Sequence, residues 1–176
     1  MFRFLALISI LACGVLSFLS WVMPYLVAFW YTQIVNARIS FGNFESVCTG
    51  ADCGANYQST SLSDWKKTDK DVYDGLCANI AMTLIALIIF VAALFLLLKK
   101  SGITHLVFVT GGIFVFIAIM AFIGKFQNSD THNSLQSDKN NIPGFHWSYS
   151  ASTAFSIIAF IVSLPGAFFA LKAKDD

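Results

Sequence analysis

Charged residues are scarce in this chain of 176 amino acids, in which Asp, Glu, Lys and Arg together make up 12%. A typical soluble domain carries about 25% charged residues, so the composition argues against an ordinary soluble enzyme domain. The net charge of +1 provides no field that would attract nucleic acid, and we expect no nucleic-acid partner. The hydrophobic share of 57% excludes a disordered chain and predicts an integral membrane protein of a single domain.

The sequence also contains no recognisable arrangement of catalytic, metal-binding or phosphate-binding residues. The sequence has no carboxylate pair within an apolar stretch, no His/Glu metal-ligand constellation, no glycine-rich phosphate loop and no nucleophile elbow. We therefore expect no enzymatic activity, no catalytic residues, no cofactor and no metal. The same scarcity of ionisable groups argues against a transporter.

Long apolar stretches are what the sequence has instead. Each of four stretches has about the 20 residues that a helix needs to cross a bilayer core. None of them contains Asp, Glu, Lys or Arg, and they are residues 4–29, 76–98, 103–123 and 150–171. The first stretch is longer than the apolar core of a signal peptide, which favours a membrane span over a cleaved leader.

The remaining segments are unequal in length, and this inequality predicts the orientation. They are a first loop at 30–75, a turn at 99–102, a second loop at 124–149 and a tail at 172–176. Lys99 and Lys100 lie in the short turn without acidic neighbours, whereas acidic residues outnumber basic ones in the first loop. Basic residues in short segments favour the cytoplasmic side. We expect both termini in the cytoplasm, both loops outside and a plasma-membrane location.

The first loop carries weak strand signals and a pair of cysteines. Partial alternation of apolar and polar residues over 31–47 favours a small antiparallel sheet. The expected fold class is an all-α four-helix transmembrane bundle with a small extracellular antiparallel β-sheet, formed mainly by this loop. Cys48 and Cys53 enclose a turn-forming composition, and a disulfide between them would join neighbouring strands. A metal site is the alternative, but no second pair or nearby His accompanies these cysteines.

Polar residues of the two loops leave further alternatives open. The second loop is rich in Asn, Ser, Asp and Gln over 127–141, which is typical of a mobile surface connection. Its His132 and His146 have no partner at ligand spacing and receive no role. Four aspartates before the second span form either a cation-attracting surface or an ordinary solvent-exposed segment that leads into the helix. They are Asp64, Asp69, Asp71 and Asp74.

Small residues recur at helical spacing where the fourth span begins. Ser148, Ser152 and Ser156 follow one another at intervals of four residues. Small side chains at this spacing let helix backbones approach closely. We therefore predict a packing face there, which serves either the bundle itself or a neighbouring membrane protein.

Several motifs occur in a recognisable order along the loops. An aromatic residue, a Gly-x-Phe segment and the two cysteines follow the first span, and they are Trp30, Gly42, Phe44, Cys48 and Cys53. The segment 144–149, with Trp147 and Ser148, precedes the fourth span. In these motifs and in its four spans the chain resembles the claudin superfamily, which includes peripheral myelin protein, the epithelial membrane proteins and calcium-channel gamma subunits. Phe44 replaces the signature Trp of that family, and the tail lacks the PDZ-binding end of many claudins.

The resemblance implies a non-catalytic four-pass membrane protein that acts as a structural or auxiliary subunit by lateral binding. Its partners would be membrane lipid, other integral membrane proteins such as a channel, receptor or junction component, or further copies of itself. One alternative is a cell–cell junction protein that polymerises through its outer loops and forms adhesive or barrier contacts. Another is a self-assembled pore in which the four aspartates favour cations.

Overall fold

The computed structural model describes residues 1–23, 26–30, 33–40, 43–49, 57–141 and 144–173, and these residues are mostly helical. The helices in chain order are α1 (Phe2–Val22), α2 (Leu62–Thr68), α3 (Lys70–Leu98), α4 (Thr104–Gln127), α5 (Asp130–Asn141) and α6 (Ala151–Lys172). The strands are β1 (Leu26–Trp30), β2 (Gln33–Ser40), β3 (Asn43–Thr49), β4 (Tyr57–Ser61) and β5 (Phe145–Tyr149).

Four helices in the described part of the chain are long and apolar enough to cross a membrane, namely α1, α3, α4 and α6. The prediction of four long apolar helices is confirmed, and their length and composition indicate an integral membrane protein. Helix α3 begins at Lys70 and not at residue 76, and α4 continues to Gln127 and not only to residue 123. The added turns contain charged residues, which a helix can carry at its ends but which hydropathy leaves out of a span.

The first helix is shorter than the predicted span of 4–29. It ends at Val22, and residues 26–30 form strand β1 instead. Pro24 gives the physical reason, because the residue before a proline is pushed out of the helical region and proline has no N–H to donate. The residues of β1 read Leu-Val-Ala-Phe-Trp, and this apolar run is compatible with either a helix or a buried strand.

The five strands form one antiparallel sheet in the order β4-β3-β2-β1-β5. The first four strands pair with their neighbours in sequence, as in a meander. Strand β5 comes from far along the chain and pairs with β1, so that Trp30 faces Phe145 and Leu26 faces Tyr149. Segments of both predicted loops therefore build a single sheet, which sequence alternation in the first loop alone does not indicate.

The polar segment 127–141, predicted to be a mobile connection, is mostly helical. Helix α5 covers Asp130–Asn141, and none of its residues is buried. This lack of a buried face explains why the sequence shows no apolar periodicity there. The helix begins with a capped first turn, in which the Ser129 hydroxyl accepts a hydrogen bond from the His132 N–H at 3.0 Å.

Backbone contacts divide the chain into two compact units. The first consists of Met1–Leu19, Asn79–Met120 and Phe155–Asp176, and the second of Ser20–Ala78 and Ala121–Ala154. The core of the first unit is made of aromatic, aliphatic and small side chains, including Ala6, Ile10, Phe90, Phe108, Val115 and Ala159. The second unit contains the sheet and helices α2 and α5.

Glycines bring the helices of the first unit close together. A Cβ on Gly112 would collide with the hydroxyl of Ser163, and one on Gly166 would collide with the ring of Phe108. Gly111 is similarly covered, because a Cβ there would lie 2.5 Å from the Phe90 ring. Close approach of this kind is the usual way in which membrane helices gain packing contacts.

Candidate functional site

A buried carboxylate, Asp69, connects the first turns of two helices in the second unit. The residue is 6% exposed, and its Oδ1 accepts a hydrogen bond from the Val72 N–H at 3.1 Å. This is the geometry of a helix N-cap, and it satisfies a donor at the start of α3. The other oxygen, Oδ2, accepts from the Thr131 N–H at 2.8 Å and from the Thr131 hydroxyl at 2.6 Å. One side chain therefore holds α3 and α5 together.

The first turn of α5 is satisfied by two residues. Ser129 accepts from His132, as described above, while Asp69 accepts from Thr131. The Ser129 hydroxyl also donates to the Phe126 carbonyl at 2.6 Å, which ties this turn to the end of α4. Hydrogen bonds to a carboxylate are stronger than those between neutral groups. The start of α5 is thus fixed, although no residue of the helix is buried.

Aromatic rings of the same unit pack around Phe126. The rings of His132, Trp147 and Tyr149 each meet Phe126 edge to face, at centroid distances of 5.5, 5.7 and 6.0 Å. His132 and Trp147 also contact each other at 5.3 Å. Edge-to-face pairs of this kind add stability beyond the area that they bury. We call these four residues the aromatic cluster, and it connects α4, α5 and β5.

Strand β5 has two different faces. Phe145, Trp147 and Tyr149 are half-buried, whereas His146 and Ser148 between them are exposed. This alternation follows from the two-residue period of a strand. Burial raises the pKa of the Tyr149 phenol, because a low-dielectric surrounding disfavours the phenolate. The exposed face of β5 is a polar surface in the second unit that other molecules can contact.

An exposed ion pair joins α3 to α4 in this unit. Lys125 Nζ lies 3.0 Å from Asp71 Oδ1, with about half of each side chain exposed. Gly75 lets the two helices approach, since a Cβ on it would lie 2.9 Å from the Cβ of Lys125. Exposed ion pairs contribute little stability, so the close backbone approach matters more than the charge contact.

The structure separates the four aspartates that were considered as a cation-attracting group. Asp69 is buried and holds two helix ends, and Asp71 is paired with Lys125. Asp64 is exposed, with Lys67 Nζ at 3.9 Å, and Asp74 is half-exposed. Three of the four carboxylates, those of Asp64, Asp69 and Asp71, therefore already have cationic or hydrogen-bonding partners within the protein.

The predicted packing serines belong to different elements. Ser148 lies on the exposed face of β5 and not on the fourth helix. The prediction that it shares a helical packing face with Ser152 and Ser156 is therefore wrong. The helix begins at Ala151, and the extended strand before it breaks the four-residue spacing. Ser152 and Ser156 are on α6 and are buried. The Ser152 hydroxyl donates to the Ser20 carbonyl at the end of α1. Trp147 belongs to the aromatic cluster.

Other predicted site residues lie largely beyond what the structure describes. Gly42 and Cys53 are outside the described residues, and so is the predicted disulfide between Cys48 and Cys53. The backbone of Trp30 belongs to β1, and the backbones of Phe44 and Cys48 belong to β3. Cys48 is opposite Val35 in the sheet, and Phe44 is opposite Ile39.

Sequence reasoning missed Ser129, Thr131 and Phe126 as members of this site. Ser129 and Asp130 carry a local signal, because Ser before an acidic first turn is typical of a helix start. Asp69 in front of α3 carries the same signal. The contact between Asp69 and Thr131 has no local signal, since 62 residues separate the two.

The residues of this site connect structural elements of the second unit to one another. Among the described residues, no group of three or more His, Cys, Asp and Glu side chains could hold a metal ion. The oxygens of the buried Asp69 accept hydrogen bonds from backbone and hydroxyl donors. The chain matches no protein-family model, and no curated protein matches it significantly.

Proposed function

We propose that this protein is a non-catalytic, claudin-like four-pass membrane protein that acts as a structural or auxiliary subunit. In this proposal it binds other integral membrane proteins laterally in the plasma membrane. The sheet and helix α5 lie outside the cell, and both termini and the turn after α3 lie in the cytoplasm. The order of motifs from Trp30 to Cys53 and the four apolar helices support the claudin-like assignment.

The observation that carries the proposal is the pairing of β1 with β5. It makes one folded unit out of segments that precede α3 and follow α4, and the Asp69 contacts and the aromatic cluster hold this unit together. A structured surface of this kind can select a protein partner, because its exposed groups keep fixed positions. His146 and Ser148 are exposed on β5 and are the side chains that we expect near a partner.

Exposed apolar residues on the four spans support lateral contact within the membrane. On α3, Ile88 and Phe95 are 69% and 60% exposed, and on α6 Ile161 is 56% exposed. Large exposed apolar surfaces face either lipid or the helices of other proteins. Membrane lipid covers these faces where no partner helix does.

Site-specific photo-cross-linking in native membranes tests the proposal. A photoreactive amino acid at Ser148 should cross-link to a defined membrane protein in a constant molar ratio of the two proteins. The same group at Ser134 on α5 is the control, because Ser134 is exposed on a different element. The cross-linked species should have the same mass after extraction in native nanodiscs. A protein that stays a lone monomer of 19.3 kDa in such discs would overturn the proposal.

Cysteine labelling on intact cells tests the orientation separately. Ser134→Cys should react with a membrane-impermeant maleimide added outside, and Lys100→Cys should react only after the cells are opened. Both positions are exposed in the structure. The opposite labelling pattern would reverse the proposed orientation without changing the fold.

A further inference from the structure

Two apolar pockets lie in succession along helices α1 and α3 of the first unit, and we refer to them together as the groove. One section has a volume of about 220 Å³ and is lined by aliphatic and aromatic groups, including Gly14, Leu87 and Phe90. A second section of about 410 Å³ begins one helical turn away and is lined by residues that include Arg3, Leu7 and Leu97. The two sections follow the same pair of helices, from the middle of α1 to its first turn.

The groove has a basic end. The Arg3 Nη2 group donates hydrogen bonds to the carbonyls of Leu98 at 2.8 Å and Leu97 at 3.2 Å. These carbonyls are at the C-terminal end of α3, where the helix dipole favours a cation. A guanidinium has five N–H donors, so three donors of Arg3 are not used by any residue in the described part of the chain.

Two lysines follow directly after the same helix end. Lys99 and Lys100 are exposed, and Lys100 adopts a left-handed backbone conformation with φ of 56°. The Ser101 N–H bonds to the Leu96 carbonyl and the Lys100 N–H to the Leu97 carbonyl, which together form a Schellman helix end. This defined turn fixes where the lysine side chains begin. The described residues of the first unit contain no acidic side chain, and Asp175 and Asp176 lie outside the described residues.

The apolar part of the groove contains a notch at Gly14. A Cβ built on Gly14 would meet no atom within 4 Å, so the missing side chain leaves open space. The neighbouring Val15 is 58% exposed, which shows that this part of α1 is not covered by the protein itself. The notch is therefore reachable from the membrane around the helices.

The distance between the basic end and the notch matches one leaflet of a bilayer. Arg3 and Gly14 are 11 residues apart in sequence, which is roughly 16 Å along a helix that rises about 1.5 Å per residue. Half of the hydrocarbon core of a bilayer is about 15 Å thick. A lipid whose headgroup lies at Arg3 can thus extend one acyl chain to Gly14.

We propose that this groove binds an anionic phospholipid, with the headgroup at Arg3, Lys99 and Lys100 and one acyl chain along α1 and α3 as far as Gly14. Charge complementarity selects the anionic headgroup, and the apolar lining selects the chain. The inference rests on the orientation in the proposed function, because the cytoplasmic leaflet is the one rich in anionic lipid. The binding itself does not depend on a protein partner.

Native mass spectrometry of the purified full-length chain tests the site with two lipid probes, phosphatidylserine and phosphatidylcholine of equal chain length. The wild-type protein should retain phosphatidylserine in preference to phosphatidylcholine. Arg3→Gln should lower the affinity for phosphatidylserine roughly fivefold, as expected for the loss of one basic group at an anionic headgroup, and should leave phosphatidylcholine unchanged.

Gly14→Leu should weaken the binding of phosphatidylserine, because its side chain fills the notch. Gly124→Leu is the matched control, since a Cβ there also meets no atom within 4 Å but the residue lies in the second unit. Circular dichroism of each variant checks that it is folded. Equal retention of the two lipids by the wild type, or equal phosphatidylserine binding by Gly14→Leu and Gly124→Leu, would overturn the proposal.

The wild type could instead form a dimer without bound lipid, and only Gly14→Leu could lose that dimer. This result would assign the groove to a second copy of the chain and would also overturn the lipid proposal. The lipid measurements and the partner test can fail separately. The lipid measurements use purified protein in detergent, whereas the partner test uses native membranes. A failed orientation test with intact lipid binding would place the site in the other leaflet.

Discussion

Asp69 Oδ2 accepts two hydrogen bonds from Thr131, one from its backbone N–H at 2.8 Å and one from its hydroxyl at 2.6 Å. The same carboxylate caps α3 through Val72. A group that joins two helix starts while nearly fully buried is costly to remove, because several donors then lose their acceptor at once.

Asp69→Ala should therefore destabilise the protein by roughly 2–4 kcal/mol, which combines a lost N-cap with lost hydrogen bonds to a charged group. Thermal unfolding in detergent micelles, followed by circular dichroism, measures the change. Asp64→Ala is the control, since Asp64 is exposed and should cost less than about 0.5 kcal/mol. Equal unfolding midpoints for the two variants would contradict a structural role for Asp69.

Glycine replacements should separate the close helix contacts from the open ones. Gly112→Ala should destabilise the protein by roughly 1–3 kcal/mol, because a methyl group there collides with Ser163. Gly124→Ala adds the same methyl group where nothing lies within 4 Å, and alanine favours the helix. The control should be neutral or more stable in the same unfolding assay. A destabilised Gly124→Ala with an unaffected Gly112→Ala would contradict the close contact between Gly112 and Ser163.

The ion pair between Asp71 and Lys125 should be nearly neutral for stability. A double-mutant cycle with Asp71→Asn and Lys125→Gln should give a coupling free energy of roughly 0.2–1 kcal/mol, since both side chains are about half exposed. Salt should reduce this coupling, because the pair is accessible to counterions. A coupling several times larger would mean that the pair is shielded from water in the membrane-bound protein.

Tyr149 should make the protein sensitive to alkali. Because burial raises the pKa of its phenol, the neutral form is favoured in the folded state. The stabilising contribution is therefore complete below the ordinary tyrosine pKa of about 10 and is lost as the pH rises through the higher folded value. Unfolding midpoints measured from neutral pH upwards should fall more steeply for the wild type than for Tyr149→Phe above that point. Parallel pH curves would contradict the prediction.

Hydropathy predicts the four long helices because the cost of charge in a bilayer excludes Asp, Glu, Lys and Arg from each span. It does not predict where the first helix ends. The apolar run continues past Val22 into β1, and an apolar strand has the same hydropathy as an apolar helix. Only Pro24 marks the boundary in the sequence.

Helix α5 and strand β5 are harder to predict for opposite reasons. Helix α5 buries none of its residues, so its polar sequence looks like a loop apart from the start signal at Ser129. Strand β5 alternates in burial, with Phe145, Trp147 and Tyr149 on one side. The sequence of this segment resembles the beginning of the fourth span in the claudin superfamily, and that resemblance hides the alternation. Its pairing with β1 is a contact between distant parts of the chain. Neither periodicity nor local propensity encodes such a pairing.

The position of β5 beside β1 also decides how the sheet can be studied in isolation. A fragment that covers only residues 26–61 would keep four strands, but β1 would replace β5 as the edge, with free N–H and C=O groups and without helix α5, which contacts β5 in the full chain. Such an edge pairs with strands of other chains. The fragment should therefore aggregate when it is prepared as an antigen or for crystallisation. A soluble version of this sheet has to carry residues 145–149 on the same polypeptide, joined so that they can run antiparallel to β1.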